Sequence, residues 1–212
     1  EQCEPWGGNG FLKAAEPVAR LVGEYFPKAE IVLSTWCFGY QYPNEWDVFA
    51  KEFAEKPDWV DYLMVDSHND FPEFVREHGA PGGLPVLNFP EISMWGMGPW
   101  GGWGANPLPA RFQRLWDQCR EMLSGGFPYC EGIYEDINKA IYLQFYWDSH
   151  RLATGTVREY IACEFSPEVV EELAEVMRIL EANHGHYLTK RDAESEPIRC
   201  SLPNLNPPAA QR

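Results

Sequence analysis

A chain of 212 residues with 45% hydrophobic and 15% aromatic side chains carries enough apolar surface for a packed core, so disorder is expected only toward its end. Its 17 basic and 32 acidic residues give a formal charge of −15. Such a charge repels phosphate backbones, and no basic patch stands ready for a membrane surface, so neither nucleic acid nor membrane is an expected partner. No apolar run reaches the ~18 residues of a spanning helix.

The chain begins at Glu1 with no methionine and no leader pattern. It reads as a fragment or processed product whose compartment the sequence does not reveal. Cys3, Cys37, Cys119, Cys130, Cys163 and Cys200 are widely scattered, without a Cys-x-x-Cys pair. Buried free thiols are expected, with one or two bridges as the alternative and no structural zinc.

In chain order, the first ten residues form a Pro- and Gly-broken loop that sets Glu4 beside Trp6. Helical spacing follows from Phe11 to Phe26, with Pro17 predicting either a kink or a later start near Glu16. Ile31 to Phe38 is β-branched and aromatic, a strand that carries Trp36 near its end. A short helix from about Trp46 to Ala54 leads to a second strand, Val60 to Val65. That strand runs into Asp66-Ser67-His68-Asn69-Asp70. A short helix, Phe71 to Glu77, precedes a third strand, Pro85 to Phe89.

The third strand ends in Glu91 and opens into an aperiodic glycine-rich loop with Trp95, Trp100 and Trp103. Tryptophan faces bind pyranose rings while nearby carboxylates take polar roles; the alternative is a buried tryptophan cluster that pins the loop. Pro109 then starts a helix whose apolar face runs from Phe112 to Met122, with Gly125 and Gly126 stopping it. Tyr129 to Tyr134 is a weaker strand candidate followed by Glu135 and Asp136. Helices are expected over Ile137–Trp147, Thr156–Phe165 and Pro167–Ala182, the last started by Ser166. From Thr189 the chain turns polar and Pro-rich.

Strands that alternate with helices, with no hairpin signal, predict a parallel sheet of the α/β class. Ligand sites in such sheets lie at the strand C-terminal ends, where Asp66 and Glu91 stand. Strands ~4.8 Å apart can bring both acids to one substrate atom, the arrangement glycoside hydrolysis needs. The plainer alternative makes Asp66 a turn cap and Glu91 an internal ion-pair partner. His68 with its flanking acids lacks the spacing of a metal signature, His184-Gly185-His186 is expected at a helix end where histidines cap carbonyls, and no phosphate-loop motif is present. Ser34, Ser67 and Ser93 sit in no Gly-x-Ser-x-Gly elbow.

Glu4-Pro-Trp, Asp66-Ser-His and Phe89-Pro-Glu91, followed by a helical segment, resemble the second half of the catalytic barrel of α-glucuronidase-like glycoside hydrolases. The chain is also similar to hexosaminidase-like barrels, and most of all to uncharacterised bacterial members of this broad type. The resemblance implies a partial (β/α)8 TIM barrel, its C-terminal half, over residues 1–148. A helical extension would cover 149–188 and a Pro-rich tail 189–212. It implies an inverting glycoside hydrolase acting on an oligo- or polysaccharide, with Glu4 as general acid and Asp66 and Glu91 orienting and activating water. Trp6, Trp36, His68, Trp95, Trp100 and Trp103 are the expected substrate-binding residues, with no metal and no cofactor. The missing N-terminal half of the barrel would be a partner, and a non-catalytic carbohydrate-binding barrel fragment is the alternative.

Overall fold

The computed structural model describes residues 10–36, 38, 44–67, 70–93, 107–130 and 136–183. Helix α1 (Gly10–Tyr25) leads to β1 (Val32–Ser34), α2 (Glu45–Glu52), β2 (Tyr62–Asp66), α3 (Glu73–His78) and β3 (Val86–Phe89). Then come β4 (Glu91–Ser93), α4 (Pro109–Asp117), β5 (Leu123–Gly126), β6 (Tyr129–Cys130), α5 (Asp136–Trp147), α6 (Ala153–Glu164) and α7 (Val170–Asn183). Among the described residues, no helix is long and apolar enough to cross a membrane.

The mixed α/β class holds, and the first three strands are adjacent and parallel as their alternation with helices predicts. The sheet runs β1-β2-β3-β5, with every pairing parallel, and β4 and β6 form a separate two-stranded parallel pair. Alternation sorts the sheet's faces. Leu33, Leu63, Val65 and Val86 enter the core with Phe49, Val75, Phe112, Trp116, Ile141 and Phe145 from the helices. Val32, Ser34, Tyr62, Met64, Leu87 and Phe89 take the other face, half-buried or exposed.

Two expectations are corrected. Helix α1 already starts at Gly10 and contains Pro17, so the later start near Glu16 does not occur. Pro17 supplies no N–H to the carbonyl of Lys13, and both residues are exposed, so water can satisfy that oxygen. Helix α4 stops at Asp117, and Gly125 and Gly126, read as a helix stop, belong instead to β5, a strand on β3. Ser166 does start the last helical segment, its hydroxyl accepting from the Glu168 N–H at 3.2 Å. Among the described thiols, Cys119 is buried, Cys130 half-buried and Cys163 exposed, with Cys119 and Cys163 free. Burial pushes the Cys119 thiol up to about 12, against a smaller opposing effect of its hydrogen bond to Asn88, which leaves it inert.

Candidate functional site

The C-terminal ends of the strands gather polar side chains that are buried: Thr35, Asp66, Ser67, Asn88, Glu91 and Ser93. Apolar strands drive this placement. Leu63 and Val65 sink into the core, so the period of two turns Asp66 with Tyr62 and Met64 to the opposite face. Asp66 pairs in register with Phe89, and side chains of register partners share a face. The β2–β3 ladder extends one step further through the Ser67 N–H to Phe89 O, 3.1 Å. On the first strand, Thr35 Oγ1 donates to Met64 O at 3.3 Å and accepts from the Asp66 N–H at 3.4 Å. Thr35 thereby holds the backbone of Asp66 from the β1 side.

Pro90 interrupts the third strand, and the chain resumes as β4 with Glu91 opposite Tyr129 of β6. The Tyr129 N–H donates to Pro90 O at 2.8 Å, and its ring lies 5.6 Å from that of Phe89. Asp66 is 9% exposed and Glu91 1%. Removing a carboxylate from water costs several kcal/mol, so neither is an ordinary surface charge.

Asp70, in the same acidic segment, serves a different end. Its carboxylate accepts from Arg114 at 2.6 Å and from Gln118 Nε2 at 2.9 Å. Gln118 Oε1 in turn accepts from the Phe71 N–H at 2.8 Å, so the loop after β2 is tied to the end of α4. Burial raises the Asp70 carboxyl, but the hydrogen bonds of Gln118 and Arg114 together with the charges of Arg114 and Arg111 hold the group below its ordinary value. Among the described residues no cluster of three or more His, Cys, Asp or Glu is placed to hold a metal ion.

Trp36 follows β1 with 56% of its surface exposed, its backbone N–H donating to Ser34 Oγ at 3.2 Å. It borders an apolar groove of about 480 Å³ between α1 and β1. Glu4, Trp6, His68, Trp95, Trp100 and Trp103 lie outside the described residues. A larger groove of about 740 Å³ runs between α4, α6 and α7, past Gln113, Val157 and Met177. Neither Asp66 nor Glu91 borders it, and we place the candidate site at the strand ends because the buried carboxylates are there.

Thr35, Asn88, Tyr129 and Asn138 escape the sequence reading. Only Asn138 left a trace, an amide at helical spacing from Ile141 and Tyr142. The others owe their placement to partners 29 or more residues away.

No family model and no curated protein matches this sequence. Among solved structures, one described as a family GH115 4-O-methyl-α-glucuronidase with specificity for decorated arabinogalactans is similar to this chain, with a TM-score of 0.49 and 16% sequence identity. The similarity covers 82% of this chain and 24% of that one.

Proposed function

We propose that this chain carries acid-bearing strand ends of an inverting glycoside hydrolase, with Asp66 and Glu91 as the pair that orients and activates water. The observation that carries this reading is the burial of two carboxylates where a parallel sheet offers its ligand site, one on β2 and one just beyond β3. The motifs around Glu4, Asp66 and Glu91 add the sequence resemblance to α-glucuronidase-like barrels. Glu4 is the proposed general acid. It gives its proton to the glycosidic oxygen as the bond to the anomeric carbon breaks. Water attacks that carbon from the other face and loses its proton to the carboxylate pair. The fold that completes this chemistry is a (β/α)8 barrel, whose preceding half would pair with β1, an edge strand among the described residues.

A second reading is carbohydrate binding without cleavage, and the exposed ring of Trp36 favours it. Calorimetric titration against neutral and uronic-acid-decorated oligosaccharides, paired with assays of reducing-sugar release, separates the two. Cleavage should yield product of inverted anomeric configuration, visible by NMR. Asp66→Asn and Glu91→Gln should each lower kcat about a hundredfold or more while glycan affinity changes far less. Rates that survive both substitutions remove the pair from the mechanism. If the chain binds but does not cut, adding the preceding barrel half should restore turnover; binding that stays silent even then selects the second reading.

A further inference from the structure

Glu91 does not belong to the four-stranded sheet that holds Asp66. It opens β4, a three-residue strand paired with the two residues of β6. In that pairing Glu91 stands opposite Tyr129 and Ser93 opposite Cys130, so Ile92 is one residue too many. This is a β-bulge in a parallel pair, an uncommon place for one. A bulge leaves a peptide group outside the ladder and redirects the side chains beside it. Glu91, Ile92 and Ser93 are all buried, so the Ile92 carbonyl cannot turn to water.

Asn138 meets that carbonyl. It lies in the first turn of α5, fully buried, and its Nδ2 donates to Ile92 O at 3.2 Å. Its Oδ1 accepts from the Leu108 N–H at 3.3 Å. A peptide N–H only donates and a peptide carbonyl only accepts, so the two partners dictate which end of the amide faces which. Ile92 and Leu108 flank residues 94–106, and one side chain joins both flanks to α5. A leucine here would suit the apolar neighbours Ile137 and Ile141 but would remove the hydrogen bonds that Asn138 makes with these two buried peptide groups.

We propose that Asn138 is a positioning residue: it holds the Ile92 bulge in the one arrangement that sets where Glu91 stands, and it acts on the chemistry through Glu91. The claim about chemistry rests on Glu91 being a catalytic carboxylate, as proposed above. The claim about position does not.

Asn138→Ala and Asn138→Asp test both. In the alanine variant the Leu108 amide should exchange with solvent about five- to thirtyfold faster. The NMR resonance of the Glu91 carboxyl carbon should move from its wild-type position. In glycan cleavage, kcat should fall about a hundredfold while KM stays within about twofold. In Asn138→Asp the introduced carboxyl, when protonated, can donate to Ile92 O as the amide does; when ionised it repels that oxygen. Its kcat relative to wild type should therefore recover as pH falls, whereas a merely structural role leaves that ratio flat in folded protein. An unchanged Leu108 exchange rate, an unmoved Glu91 resonance, or an unchanged kcat in the folded variants each overturns the proposal. A wild-type protein that cuts no glycan even with the preceding barrel half added, with both NMR signals moving, overturns the glycosidase reading and leaves the hold of Asn138 on Glu91 standing.

Discussion

Asp66 and Asp70 are four residues apart in one acidic segment, and their neighbours give them opposite lives. Asp66 is held at a strand end by β1 and β3, whereas Asp70 is committed to Arg114 and Gln118. A carboxyl held below its ordinary value stabilises the fold fully above its unfolded pKa of about 3.9. That contribution is lost as pH falls through the lower, folded value. Asp70→Asn should therefore cost about 1 kcal/mol or less near neutrality, since the side chain is 37% exposed and solvent screens the pair. The gap to wild type in urea midpoints should close in strong acid. A gap that stays constant down to that limit would mean the Arg114 pair contributes nothing. The sequence showed one acid at a strand end and a second four residues on, but their division of labour depends on Arg114 and Gln118, which α4 brings in from 44 and 48 residues away.

At the scale of elements, the instructive segment is β5. Leu-Ser-Gly-Gly has no strand propensity, and two glycines after an amphipathic run ordinarily end a helix. The segment is a strand because β3 offers it a parallel edge and because Gly126 must pass close to the core. A Cβ at Gly126 would lie 2.1 Å from Asn88 Oδ1 and 2.2 Å from the Tyr146 hydroxyl, two groups hydrogen-bonded to each other. It would also lie 2.6 Å from the Asn88 carbonyl oxygen, which is backbone and cannot swing away. Gly126→Ala should destabilise by roughly 1–3 kcal/mol through overpacking. Near-ultraviolet circular dichroism should report a disturbed Tyr146. A neutral result would show that β5 can slide on β3, where the register already shifts between Val86 and Leu87.

Across the whole molecule, the sheet and the C-terminal helices share one apolar core. Ala153, Val157 and Ile161 of α6 belong to the same cluster as Leu63 and Val65 of β2. Helix α7 is fastened to α4 by Glu181, whose two carboxylate oxygens accept from the Ala110 and Arg111 N–H groups at 3.0 and 2.8 Å. Helix α4 has Pro109 at its start and no capping side chain of its own at Leu108, so a residue 70 positions downstream supplies the cap. Glu181→Ala should lower stability by about 1–2 kcal/mol, the cost of a lost helix cap. One shared core further predicts that tryptophan fluorescence and far-ultraviolet circular dichroism report a single coincident unfolding transition in both proteins. Two separated transitions would make α6 and α7 an independent unit.

What the sequence determined by itself is what depends on neighbours in the chain. Apolar period and β-branching located the helices and the first three strands, and alternation implied their parallel pairing. The same local signals put Asp66 and Glu91 at strand ends, because an apolar run that stops at an acid marks its own boundary. Tertiary structure alone decided what depends on contact across the fold. Leu123–Gly126 became a strand only against β3, and Glu91 was separated from the main sheet only by the Pro90 break and the pairing of β4 with β6. Thr35, Asn138 and Glu181 acquired their roles from peptide groups 29, 30 and 70 residues away. Such roles leave no pattern in the chain, since a buried peptide group selects a partner by its place in space, not by its distance in sequence.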